Sequence, residues 1–118
     1  MVTLVTGGTG FVGANIVKDL ADNGHHVVSF DINGPDKLLE GFVGQASSPV
    51  AFIQGDIVNP ESVARLGLDY QIDKIVHAAV YKVNREALEI ERSRDVIAIN
   101  LEGTANLLEL ARTQQTKR

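Results

Sequence analysis

At 118 residues, 44% of them hydrophobic, the chain is long enough for one domain whose core buries roughly two-thirds of its unfolded surface, and too short for two. A formal net charge of -4, with the Lys and Arg residues scattered, speaks against a nucleic-acid partner, because binding to a phosphate backbone is driven by clustered cations. The absence of cysteine excludes disulfides, thiol nucleophiles and cysteine metal sites, no apolar run reaches the length of a membrane span, and the N-terminus lacks the charged start of a signal peptide, so a cytoplasmic chain is expected.

The first element in chain order is VTLVT (2–6), a β-branched apolar run that reads as a strand covered on both faces. A glycine-rich stretch follows, and then a helical pattern over 11–23 that places Val12, Ile16 and Leu20 on one stripe with Val17 at its flank and Gly24 as the C-terminal stop. HVVSFD (26–31) is the second strand. A weaker helix is expected over 35–42, where Pro35 suits a first turn. VAFIQ (50–54) is the third strand, and NPES opens a further helix with Asn59 as N-cap and Pro60 at the first helical position. KIVHAAV (74–80) is the fourth strand, and a long helix over about 92–114 places Ile97, Leu101, Ala105, Leu108 and Ala111 on one face. Strand and helix alternate four times. This predicts an α/β fold, a three-layer Rossmann-type doubly wound parallel sheet with right-handed crossovers.

The glycines Gly7, Gly8, Gly10 and Gly13 fall between the first strand and the first helix. There the unpaired N–H groups of a helix N-terminus and its dipole favour an anion, and side chains on the loop would hold a phosphate away. Gly7 or Gly8 permits the tight turn, Gly10 lets the backbone approach a pyrophosphate, and Gly13 lets helix and strand pack closely. A turn followed by a close helix–strand contact could use the same glycines without a ligand. Three features favour a dinucleotide: a strand before, a helix after, and an acidic residue about 20 positions on. That residue is Asp31, whose carboxylate can accept from both ribose hydroxyls and repels a 2'-phosphate, which favours NAD over NADP unless Lys37 or another cation intervenes. Its other reading is an Asx turn with Asn33 and Gly34. A P-loop is excluded, because Ala14 and Asn15 stand where Lys and Ser/Thr are required.

With these residues in view, the chain resembles the extended short-chain dehydrogenase/reductases, the group that includes NAD-dependent sugar-nucleotide epimerases and dehydratases. TGGTGFVG (6–13) is similar to the family's T-G-x-x-G-x-x-G motif, which brings Phe11 and Val12 into the cofactor loop. GDI (55–57) resembles the segment after its third strand, which implies that Asp56 bonds the adenine amino group and that Ile57 lies beside the ring. HAAV (77–80) is similar to its fourth strand end, where the small Ala78 and Ala79 leave room for ribose and diphosphate. NLEGTANLLELAR (100–112) resembles its fourth helix, with Asn100 supporting the active site. The resemblance implies a strand order 3-2-1-4 and a homodimer packed through the 92–114 helix. Each residue also has a plainer use: Asp56 as the cap of a turn, Ala78 and Ala79 as small residues under a helix, Asn100 as a solvent-facing side chain.

The family's chemistry rests on a Tyr-x-x-x-Lys pair and a Ser or Thr beyond the fourth helix. The literal match YQIDK supplies Tyr70 and Lys74, but that spacing shares a face only on a helix, and here it enters the fourth strand at its amino end, away from the ligand edge. Tyr81 lies just past that strand, with Lys82 adjacent instead of four residues on. His25, His26 and His77 have no partners at metal-ligand spacing and read as structural. The expectation is therefore an N-terminal NAD-binding part over 1–118, without its catalytic half and with no catalytic residue of its own. The competing reading is a stand-alone NAD-binding or sensing module.

Overall fold

Four β-branched runs pair into one parallel sheet in the order β3-β2-β1-β4, as the family resemblance implies. The strands are β1 (Val2–Thr6), β2 (His26–Asp31), β3 (Val50–Gln54) and β4 (Ile72–His77). The computed structural model describes residues 2–44, 48–79 and 98–115. Helix α1 (Phe11–Asp22) links β1 to β2, α2 (Lys37–Gly44) links β2 to β3, and α3 (Pro60–Asp69) links β3 to β4; α4 (Gly103–Gln114) follows a π-helical turn over Ala98–Glu102.

Helices cover both faces of the sheet, which is why its strands carry apolar residues in unbroken runs. Leu4, Val28, Phe30 and Ile72 point to one side and pack with Val63 and Leu66 of α3 and Leu107 and Leu110 of α4. Val5 and Val27 point to the other and meet Val17 and Ala21 of α1 and Val43 of α2. Asn59 caps α3 as expected, its side-chain oxygen accepting from the Glu61 N–H at 3.0 Å, and Pro60 occupies the first turn. Gly24, with φ of +86°, ends α1 in the left-handed region that glycine alone enters at little cost.

Three expectations need correction. The fourth strand begins at Ile72 and ends at His77, not over 74–80. Fully buried Ile72 pairs with Val2, Asp73 is extruded at a bulge where its carboxylate accepts the Val2 N–H at 2.9 Å, and Ala78 and Ala79 leave the ladder. The first helix buries Gly13, Ala14, Val17 and Ala21, whereas Val12 is mostly exposed, because contact between Gly13 and the glycine loop turns the small residues toward the sheet. The last helix buries Gly103, Leu107 and Leu110, leaving Leu101, Ala105 and Leu108 to solvent. A side chain at Gly103 would meet Ile57 at 2.9 Å, and this contact fixes which stripe faces inward. Ile97, Tyr81 and Lys82 lie outside the described residues.

Candidate dinucleotide-binding site

Parallel strands that diverge to opposite sides of a sheet leave a crevice at their carboxyl ends. Here β1 leads through α1 to β2 on one side of it, whereas β3 leads through α3 to β4 on its other side, and a cavity of about 460 Å³ opens at the carboxyl ends of the strands. Its walls come from the loops after all four strands. Gly7, Gly10, Phe11, Val12 and Gly13 line it from the first, Asp31 from the second, Asp56 and Ile57 from the third, and Ala78 and Ala79 from the fourth.

The glycines hold distinct positions. Gly7 takes φ of +69°, and a Cβ there would lie 2.8 Å from the Ala79 nitrogen, so the turn needs glycine both for its backbone and for the Ala78–Ala79 peptide packed on it. Gly8 does not line the cavity; a Cβ there would come within 2.9 Å of the Ser29 Cβ and overlap its hydroxyl. The choice between Gly7 and Gly8 as the turn residue is thus resolved to Gly7. A Cβ at Gly13 would fall 2.6 Å from the Gly7 carbonyl carbon, which packs helix against loop. Gly10 differs from all three, since among the described residues a Cβ there would meet only the Gly7 carbonyl oxygen, at 3.4 Å. No contact among the described residues requires its bareness.

Gly10 is also the N-cap of α1; among the described residues no side chain caps that end, and no acidic residue occupies its first turn. A helix leaves its first N–H groups without intrahelical partners, so this end offers donors and a positive dipole end to an anion. The space above Gly10 and the uncapped helix end fit the diphosphate of a dinucleotide.

At the other end of the crevice Asp31 holds two N–H groups. Its Oδ2 accepts from Thr9 at 3.2 Å and its Oδ1 from Asn33 at 3.0 Å, while the Thr9 hydroxyl donates to the Asn33 carbonyl at 3.3 Å. The Asx turn is therefore present, and the same carboxylate still lines the cavity. Each carboxylate oxygen has a second lone pair, so these bonds leave acceptor capacity for hydroxyl groups. Asp56 likewise accepts the Val58 N–H at 3.0 Å in a turn while lining the cavity. The Asn106 amide holds that turn from α4, donating to the carbonyls of Ile57 at 2.8 Å and Val58 at 3.1 Å.

Asn100 is the one candidate that does not line the crevice. It sits in the π-helical turn, where its carbonyl accepts from the Thr104 hydroxyl at 2.6 Å. Phe30, Ile32, Asn33 and Gly55 line the cavity without having been singled out. Three flank Asp31 and Gly55 precedes Asp56, so adjacency was the available signal; Gly55 is glycine because a Cβ would strike the Phe30 ring at 2.6 Å. Asn106 also went unnoticed, although a poor helix former in mid-helix was its signal.

Tyr70 and Lys74 stand apart from the crevice. Tyr70 is the C-cap of α3 and Lys74 belongs to β4, so no helix joins them. No group of three His, Asp or Glu residues among the described residues could hold a metal ion, and none of the described helices is long and apolar enough to cross a membrane. His77 lies between two hydroxyls, Thr6 and Thr104, and partial desolvation of its ring lowers its pKa below the usual 6.5.

A doubly wound parallel sheet whose first crossover opens on a glycine turn at the crevice defines a Rossmann-type nucleotide-binding fold. The chain belongs to the NAD dependent epimerase/dehydratase family, whose sequence model matches residues 3–118. It is 41% identical over 107 residues to a 3-beta-hydroxysteroid dehydrogenase of Mycolicibacterium neoaurum, an alignment covering 89% of this chain and 27% of that protein. It is 36% identical over 87 residues to a UDP-glucose 4-epimerase of Neisseria meningitidis, covering 72% of this chain and 26% of the relative. Among solved structures, the Thermus thermophilus UDP-glucose 4-epimerase in complex with NAD superimposes with a TM-score of 0.81 at 28% identity, covering 98% of this chain and 35% of that one. The chain thus spans about a quarter of the length of these curated relatives.

Proposed function

We propose that this chain binds NAD across the crevice, as the N-terminal cofactor-binding part of an NAD-dependent oxidoreductase of the epimerase/dehydratase kind. The observation that carries the reading is Gly10, bare at the uncapped start of α1 where no contact among the described residues demands glycine. In this reading the main-chain amides at the start of α1 hold the diphosphate, and Gly7 and Gly13 fix the loop that presents them. Asp31 accepts from the adenosine ribose and disfavours the 2'-phosphate of NADP. Asp56 and Ile57 receive the adenine, and Ala78 and Ala79 leave room for the ribose and diphosphate. Asn100 supports the active site from the π-helical turn before α4 without touching the nucleotide.

When bound, NAD supplies an acceptor for hydride from a hydroxyl-bearing carbon. The Tyr-x-x-x-Lys pair that would take the hydroxyl proton belongs to sequence beyond these 118 residues, and the 118 residues alone bind without turnover. The substrate of the whole protein is a nucleotide sugar or a similar hydroxylated compound. The exposed Leu101 and Leu108 support a homodimer through the 92–114 segment, and a cytoplasmic setting accords with the absence of cysteine. Calorimetric titration with NAD, NADP and ADP-ribose tests the reading. NAD and ADP-ribose are expected to bind and NADP to bind more weakly; absence of ADP-ribose binding at millimolar concentration removes the site.

A further inference from the structure

The Thr6 hydroxyl accepts the Ala79 N–H at 3.2 Å and lies 2.7 Å from the Nδ1 of His77. The Nε2 of His77 lies 3.1 Å from the Thr104 hydroxyl, which donates its only proton to the Asn100 carbonyl at 2.6 Å. Since the Thr104 proton is committed, its oxygen can only accept, and His77 must carry a proton on Nε2. A neutral ring then has a lone pair on Nδ1, and the fully buried Thr6 hydroxyl donates to it. Every bond in the series has one possible direction: Ala79 N–H to Thr6, Thr6 to His77, His77 to Thr104, Thr104 to Asn100.

We propose that His77 is a positioning residue whose neutral Nε2–H tautomer holds the Ala78–Ala79 peptide against Gly7, so that protonation of this ring loosens the wall of the nucleotide crevice. A second proton on His77 would point Nδ1–H at the Thr6 oxygen, which already receives the Ala79 N–H. The proton of the fully buried Thr6 hydroxyl would then need a new acceptor. The displaced group would be the Ala79 amide, whose nitrogen sits where a Cβ on Gly7 would come within 2.8 Å. Strain at the fourth strand end therefore reaches the glycine turn directly.

Among the described residues few charges bear on the ring. β1 carries no ionisable side chain; within β4, Asp73 binds the Val2 N–H at the opposite end of the strand, and Lys74 precedes His77 by three residues. On α4, Glu109 and Arg112 pair with each other, and Glu102 precedes that helix and is exposed. Desolvation accounts for the lowered pKa. The carboxylates Asp31 and Asp56 line the cavity itself, so the pH dependence of ligand binding needs a His77 variant as control.

The test uses the 118-residue chain and two readouts. Long-range proton–nitrogen correlation spectra of the imidazole report its tautomer, and backbone amide shifts of Ala79 and Gly7 are followed from about pH 8 to about pH 5, the range in which histidines titrate. Expected are an Nε2–H ring at high pH and amide shifts of Ala79 and Gly7 with the midpoint of His77, below 6.5. An Nδ1–H ring, or Ala79 and Gly7 amides that ignore the His77 titration, overturns the proposal without any reference to a ligand. The second readout rests on the proposed NAD site: ADP-ribose affinity should fall several-fold across the same range and do so less in His77→Gln, which retains a side-chain donor for Thr104 but cannot protonate. Equal pH profiles in the two proteins would remove the coupling to the crevice. Failure of ADP-ribose to bind at any pH would count against the NAD reading alone, since the spectra decide the tautomer and its reach.

Discussion

Gly13 lies so close to Gly7 that a Cβ on the first would overlap the carbonyl oxygen of the second, while Gly10, between them in sequence, meets that same oxygen only at van der Waals distance. The three glycines of one motif therefore answer to different demands. Gly13 serves the fold, and in the proposed reading Gly10 serves the ligand.

This contrast predicts opposite phenotypes. Gly13→Ala must push α1 off the loop and should cost about 1–3 kcal/mol of stability, the usual penalty of overpacking, read by urea denaturation. Gly10→Val should leave the denaturation midpoint nearly unchanged and abolish ADP-ribose binding in calorimetry. Retained affinity in Gly10→Val would place the ligand elsewhere.

Asp31 has a structural role in its bonds to Thr9 and Asn33, and in the proposed reading a recognition role as well. Asp31→Ser removes a charge and shortens the acceptor for Thr9 and Asn33, so NAD affinity should fall about tenfold or more, in keeping with about 1.5–3 kcal/mol for hydrogen bonds to a charged group. NADP should lose less, because the repulsion of its 2'-phosphate goes with the carboxylate. The ratio of the two dissociation constants is the measurement.

The Asn106 amide satisfies two carbonyls of the β3–α3 connection from a neighbouring helix. Asn106→Leu leaves both without this donor and should destabilise the chain by about 1–3 kcal/mol. A variant that melts with the parent would show that water replaces the amide without loss.

Stability should also depend on His77. Its pKa is lowered in the folded state, so the folded protein prefers the neutral ring and the unfolded chain binds more protons at mildly acidic pH. This contribution is complete above about pH 6.5, the unfolded value, is lost as the pH falls through the lowered folded value, and then levels off. His77→Gln should flatten that part of the curve of stability against pH.

The proposed dimer makes a separate prediction. Leu101 and Leu108 are 64% and 66% exposed, and burying them against a second copy would remove apolar surface from water. Sedimentation should show a dimer that Leu108→Glu converts to monomer. A monomeric parent at high concentration would refute it.

The strands were the most legible part of the sequence. β1, β2 and β3 fall over 2–6, 26–31 and 50–54 as read, because strands buried on both faces carry uninterrupted β-branched runs. The fourth was displaced by two residues at its start, since a bulge at Asp73 puts a charged residue inside a strand. The helix faces were less legible. α1 turns its glycine and alanines inward and Val12 outward, which contradicts a reading by bulk hydrophobicity but follows from the Gly13–Gly7 contact. Leucines at 101, 107, 108 and 110 offer two competing stripes, and only the fit of Gly103 against Ile57 selects one. At the crevice, residues tied to a local motif were readable, and ten of the eleven singled out line one cavity. The series from Thr6 through His77 to Thr104 was not, because its members are distant in sequence and meet only when β1, β4 and α4 pack.

The central claim is that a diphosphate rests on the main-chain amides at the start of α1. A crystal structure of the chain with ADP-ribose measures this directly. The account predicts diphosphate oxygens within about 3.2 Å of backbone nitrogens beside Gly10, the ordinary limit of an N–H···O bond, with the ribose at Asp31. A nucleotide bound away from this crevice, or a crevice closed by the protein's own side chains, would contradict it.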